Sequence, residues 1–435
     1  MADLSVAGRL YQDGELAPGI LYIDTSTGLI ERIGGPDEAP AERHLDFGDR
    51  AVLPGAIDCH VHFRDPGLTH KEDLQSGSIS AAFGGVTGFV DMPNTVPSTT
   101  NTKALREKLR TASGKCVVDY GFWAGATWYL GELPEMLRWA CGIKIYLGAT
   151  TGDLLLEREN IEGVLGAAEA AGRPVTIHAE ANRVLERLRR QEDRLADHAA
   201  ARPPIAEVES IYDVMKVRAA KKQGTVHIAH ISSADAVKAA EMAGFSRGVC
   251  PQHMLLHHDM PIPHAYGKVN PPVRGPEASE ALWKAYVDGR IPIVESDHAP
   301  HTKLEKQGDF NEAPAGLPGV ETMVPLLLAR AMAGDVDFRL VVESVTCNVA
   351  KLLGLDDRGR LAAGLRADFA VYDLDDVQSV EGAKLHSKCG WSPYEGLDAI
   401  FPTDTYLAGA PVVSEGKLVG KPGSGRSLIA LPEEP

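Results

Sequence analysis

Between residues 56 and 296, short apolar runs alternate with longer stretches whose apolar positions recur every three or four residues. The runs at 56–62, 86–92, 117–122, 142–147, 174–179, 225–231, 246–250 and 291–296 are too short for helices. Glycine, proline or polar residues bound them, so they predict buried strands. Helical spacing is read at 76–83, 102–112, 160–171, 207–222, 235–243 and 277–287. Strands and helices alternating in this way over roughly 240 residues match a (β/α)8 barrel. A doubly wound open sheet is the competing arrangement, but no Gly-x-Gly-x-x-Gly follows the first strand.

The two ends are patterned differently. Residues 20–24 and 29–35 are short strand patterns joined by turn residues, and the same style returns at 367–373, 405–407, 412–413 and 417–420. This predicts a small β-sandwich built from both termini. The expected division is 1–52 and 349–435 for the sandwich and 53–348 for the barrel. The Pro-, Gly- and Ser-rich tail after Gly420 is expected to be loose.

Composition narrows the functional classes. The 435 residues are 44% hydrophobic and 24% charged, an ordinary globular make-up with ample material for a large core. A net charge of -16 argues against nucleic acid or an anionic membrane as the main partner. No apolar stretch approaches membrane-spanning length, and the N-terminus has no secretory pattern. The six cysteines form no Cys-x-x-Cys pair and read as reduced thiols of a cytoplasmic protein. Cys59 and Cys250, inside strand runs, are weak metal-ligand candidates.

Ligand-type residues collect at the C-terminal ends of the strands, where barrel active sites form. The first strand ends in His60-Val61-His62-Phe63-Arg64, and residues i and i+2 of a strand share a face. Later strands carry Asp91 and Asn94, Lys144, His178, His230, and Asp297 with His301. Each alone has a plainer reading: a rim histidine, an edge lysine, a helix N-cap aspartate. Together, His60, His62, Lys144, His178, His230 and Asp297 have the composition of a two-metal hydrolytic site. Imidazole and carboxylate suit zinc-like ions, and paired ions share a hydroxide and polarise a carbonyl. A cationic lysine would repel them, so Lys144 makes sense there only if neutral or converted by CO2 to a bridging carbamate. Asp297 can both bind a metal and move the proton of the attacking hydroxide to a leaving nitrogen.

The chain resembles the cyclic amidohydrolases and, among them, the dihydroorotase family. The resemblance rests on His60–Gly67, Asp91–Thr95, Lys268–Arg274, Asp297–His301, the loop Ala313–Thr322 and the pattern Gly359–Asp368, and it covers nearly the whole chain. It implies reversible closure of N-carbamoyl-L-aspartate to L-dihydroorotate, in pyrimidine biosynthesis. It implies two zinc or similar ions, one on His60, His62 and Asp297, the other on His178 and His230. Carboxylated Lys144 is the expected bridge, with Asp153 as second choice. A homodimer is implied, with aspartate transcarbamoylase a candidate partner.

The implied substrate carries a carboxylate. Arg64 offers a planar fork for it, with Asn94 and His301 adding hydrogen bonds. Asn270 and the backbone at Ala315 and Gly316 are expected to read the ring amide. The polar loop 302–316 is either a lid or a surface excursion. Allantoinase and hydantoinase are the alternatives within the family, and a non-catalytic scaffold is the alternative outside it. The filled ligand positions weigh against the scaffold. Arg64 weighs against the other two, while Ser232-Ser233-Ala234 after His230 is somewhat allantoinase-like.

Overall fold

A computed structural model describes residues 2–149, 154–219 and 224–433. Its centre is a parallel ring of eight strands in chain order: β5 (Ala56–Val61), β6 (Val86–Asp91), β7 (Asp119–Gly125), β8 (Gly142–Tyr146), β9 (Val175–His178), β10 (Val226–Ile228), β11 (Ser246–Val249) and β12 (Ile293–Val294). Val61 bridges to His298, and the His62 N–H donates to the His298 carbonyl at 2.7 Å, which closes the ring. Every residue of β5 to β9 is buried. Burial on both faces is why these strands read as apolar runs instead of alternating ones.

The helices fall where the spacing predicts them, at Leu74–Phe83, Thr102–Lys115, Ile161–Ala170, Pro204–Ala219, Ala234–Met242 and Pro276–Val287. Local chemistry starts several of them. Asp73 and Ser76 form a capping box, while Asn101 and Ser233 accept from the third backbone amide of their helices.

The termini meet in one eight-stranded sheet. Strands β1 (Leu4–Gln12), β2 (Glu15–Asp24), β3 (Leu29–Gly34) and β4 (Arg43–Pro54) join β13 (Phe369–Tyr372), β16 (Pro402–Leu407), β17 (Ala410–Ser414) and β18 (Lys417–Leu418). The small hairpin β14 (Gln378–Ser379) with β15 (Asp398–Ala399) lies apart. The two halves join where β4 pairs antiparallel with β13, from Phe369 opposite Pro54 to Tyr372 opposite Ala51. One face encloses Leu4, Val6, Leu21, Ile23, Val52, Phe369 and Tyr406, with the last two rings stacked at 4.5 Å. The alternate residues Leu53, Ala370 and Tyr372 belong to the barrel's core. Gly55 links β4 to β5, and a Cβ there would lie 2.2 Å from the Thr87 hydroxyl, so the close approach requires glycine.

One expectation changes. The tail is not loose through its length: Arg426 donates its N–H to Asp119, Tyr120 donates its N–H to the Arg426 carbonyl and accepts the Leu428 N–H on its own, and Leu428 and Ile429 are buried. Apolar anchors outweigh the flexible composition. Loop 302–316 holds a short capped helix, Lys303–Gln307, in which Thr302 and Glu305 satisfy each other's backbone groups. Lys306 is fully buried and donates to the carbonyls of Lys268, Pro314 and Gly316. These bonds tie the segment to the backbone of Lys268 and of Gly316.

Candidate metal centre and active site

Most of the predicted residues converge on one cavity at the C-terminal mouth of the ring. His60, His62, Arg64, Asn94, His178, His230, Asn270, Asp297, Ala315 and Gly316 all line it. Lys144 and His301 sit behind this wall, both buried. The second-choice bridge, Asp153, lies outside the described residues.

The donors form two adjoining groups. Asp297 Oδ1 lies 3.4 Å from His60 Nε2 and 3.2 Å from His62 Nε2. His178 Nδ1 faces His230 Nε2 at 3.2 Å, and the His60 and His230 rings are 4.9 Å apart. Nitrogens bound tetrahedrally to one zinc at about 2.0–2.1 Å would be separated by about 3.3 Å, so these spacings fit shared ions. Behind them, the Lys144 amine is buried without a hydrogen-bond partner. Burial pushes it down to about 8, against the pull of Glu295 and Asp297. A buried amine left unpaired next to such donors fits a group that becomes an anionic metal bridge. The donor set therefore suits divalent metal ions.

Outer partners set which ring nitrogen faces inward. Asn94 Oδ1 takes His62 Nδ1 at 2.7 Å, and Glu180 takes His178 Nε2 at 2.9 Å. Arg202 braces Glu180 through both carboxylate oxygens. Glu295 Oε2 lies 3.5 Å from His60 Nδ1, while its Oε1 accepts the His230 backbone N–H. Burial raises the Asp297 carboxyl, but His62, His60 and Lys144 outweigh it and hold the group below the usual range, ionised. Burial pushes His60 down to about 4, so its imidazole is neutral and ready to ligate.

Three of these residues carry backbone strain. Arg64, His230 and Asp297 have φ of 62°, 41° and 47°, left-handed values that cost roughly 1–3 kcal/mol each outside glycine. The turns they make aim their side chains across the mouth. Arg64 is buried, with Nε on the Pro300 carbonyl at 3.3 Å and Nη2 3.2 Å from His301 Nε2.

The Gly316 backbone is committed differently from the expectation. Its N–H donates to the Lys268 carbonyl and its own carbonyl receives Lys306, so its N–H is committed to the wall and a carbonyl lone pair is what remains to face a ring. A Cβ at Gly316 would lie 2.5 Å from the Ala299 carbonyl, which explains the residue. Ala315 presents its carbonyl to His301, and Asn270 Oδ1 accepts from His198 at 2.9 Å.

Several residues at the site escaped the sequence reading. Tyr146 lines the cavity, two residues from Lys144 on β8. Glu180 and Glu295 stand two residues from His178 and Asp297. The strand period carried the signal in each case. Cys59 lies in a second buried group, its thiol 3.3 Å from Glu295 Oε2 and His227 Nε2 3.5 Å from the same oxygen. That group lies outside the residues lining the cavity.

The amidohydrolase family matches residues 51–419. A dihydroorotase of Halobacterium salinarum is 40% identical over 93% of this chain and 96% of its own. A dihydroorotase of Methanosarcina acetivorans is 34% identical over 98% and 96%. The solved L-hydantoinase (dihydropyrimidinase) of Arthrobacter aurescens superposes with a TM-score of 0.93 at 27% identity, covering 98% of this chain and 99% of that one. The chain belongs to the amidohydrolase family, in the branch whose members are named dihydroorotase.

Proposed function

We propose that this enzyme interconverts N-carbamoyl-L-aspartate and L-dihydroorotate. The observation that carries the reading is Arg64, a buried guanidinium facing the cavity beside the His60–His62–Asp297 group. A planar fork in that position suits a substrate carboxylate, which hydantoins and dihydropyrimidines lack. The full-length relatives named dihydroorotase support it.

His60, His62 and Asp297 would hold one zinc ion and His178 and His230 a second, with carboxylated Lys144 between them. Such ions, when bound, polarise the amide carbonyl and make water acidic enough to attack at neutral pH. The chain's own residues do the rest. Arg64 takes the carboxylate and sets the ring's orientation. Asp297 accepts a proton from the attacking water and hands it to the ring nitrogen as the carbon–nitrogen bond breaks. In the closing direction the nitrogen gives its proton to Asp297 and water leaves. The walls at Tyr146, Val269 and Ala299 narrow the space around the ring.

No helix among the described residues is long and apolar enough to cross a membrane. A homodimer, with aspartate transcarbamoylase as candidate partner, rests on the resemblance, and a cytoplasmic setting on the unpaired cysteines. The deciding experiment is ring opening by the zinc-loaded enzyme of L-dihydroorotate, with allantoin and dihydrouracil alongside. Turnover of dihydroorotate alone supports the proposal. Turnover of dihydrouracil would favour the hydantoinase-like alternative, to which the superposition also points. Two bound metals with no turnover would favour the scaffold.

A further inference from the structure

Lys71 stands outside the cavity, in the turn after β5, with its side chain only 12% exposed. Its amine lies 3.1 Å from His301 Nδ1 and 2.6 Å from Glu305. An ammonium only donates, so His301 Nδ1 must accept. The ring proton of a neutral His301 then sits on Nε2. The second contact agrees: Nε2 is 3.2 Å from the Ala315 carbonyl, which only accepts. Burial, with Arg64, Lys71 and Lys306 nearby, holds His301 well below its ordinary range, so the ring is neutral.

This tautomer has a consequence at Arg64. Arg64 Nη2 lies 3.2 Å from His301 Nε2, and with the proton on Nε2 both groups are donors. Two donors facing each other across that gap gain nothing from each other. An anionic oxygen beside both would accept from the guanidinium and share the ring proton with the Ala315 carbonyl. We propose that Lys71 is a positioning residue that fixes His301 as an Nε2–H donor, so that Arg64 and His301 together form the seat for the substrate carboxylate. This rests on the function proposed above and deepens it.

A rival role for Lys71 is structural. Glu305 belongs to the capping box of Lys303–Gln307, and the Lys71–Glu305 pair tethers that helix to the turn after β5. The two roles separate experimentally. Lys71→Met should raise KM for dihydroorotate about tenfold, the worth of one charge-assisted hydrogen bond, and leave kcat within about threefold. Lys71→Arg, another pure donor, should restore most of the affinity. In a His301→Ala background, Lys71→Met should add less than about twofold, because the group it positions is gone. Glu305→Ala cuts the tether and keeps the Lys71–His301 hydrogen bond, so its KM should stay near wild type.

The tautomer itself is read by 15N NMR of histidine-labelled, zinc-loaded protein, with His301→Ala assigning the resonance. An Nε2–H ring that changes tautomer or protonation in Lys71→Met supports the proposal. An Nδ1–H ring in the wild type overturns it. So does Glu305→Ala reproducing the KM of Lys71→Met, or an undiminished Lys71→Met effect without His301. The spectrum needs no turnover. If dihydroorotate is not a substrate, the functional proposal falls by kinetics while the tautomer is still decided.

Discussion

His178 Nδ1 and His230 Nε2 point at each other across 3.2 Å, and Glu180 occupies the far nitrogen of His178. Two neutral imidazoles gain only one weak hydrogen bond from this arrangement, whereas a shared cation satisfies both lone pairs. His178→Ala or His230→Ala should therefore lower bound zinc from about two ions per chain to about one, read by elemental analysis after gel filtration. Chelation of the wild type should abolish ring opening, and added zinc should restore it. Two ions retained in both variants would remove these histidines from the metal site.

Asp297→Asn keeps the shape of the side chain and removes its proton-accepting charge. We expect kcat to fall by at least about a hundredfold, the lower end of general acid–base contributions, with the circular dichroism spectrum unchanged. Activity above that level would reassign the proton transfer.

Arg64→Lys replaces a planar fork by a point charge in a buried seat. KM for carbamoyl aspartate should rise about tenfold with a smaller change in kcat. An unchanged KM would show that the carboxylate binds elsewhere.

Glu180→Gln leaves His178 without a charged outer partner and Arg202 without its counter-ion. Zinc affinity, measured by competition with a chromogenic chelator, should drop about 10–100-fold, as is usual when such partners are lost. A wild-type affinity would make Glu180 a partner of Arg202 alone.

Leu428→Ala tests the anchored tail. Leu428 is 5% exposed and packs beneath the ring floor with Ile57, Val90 and Trp123. Truncation should cost about 2–5 kcal/mol by denaturant titration. A cost near zero would mean that the tail contributes no packing.

Much of the fold and site was readable because both obey short periods. Doubly buried strands leave apolar runs, and His60 and His62 share a face because a strand repeats every two residues. Tyr146, Glu180 and Glu295 obey the same rule and were passed over, since a polar residue at a strand end also has a plain rim reading. Lys71 and Lys306 follow no period. Their contacts to His301 and Lys268 join loops distant in the chain, and only the closed ring brings those loops together. The Thr302–Glu305 capping box was present in the sequence, but length and polarity pointed only to a lid or a surface excursion. Leu428 and Ile429 were hidden by the proline and glycine around them.

The pairing of β4 with β13 has a consequence for how the chain is made. Translation delivers residues 43–54 long before 369–372, so the β4 edge that Phe369–Tyr372 will cover stays open while the whole ring is synthesised. An open edge is a template for other chains. A ribosome-stalled fragment ending near residue 360 should therefore be more prone to self-association than the finished protein, and supplying 361–435 in trans should suppress it.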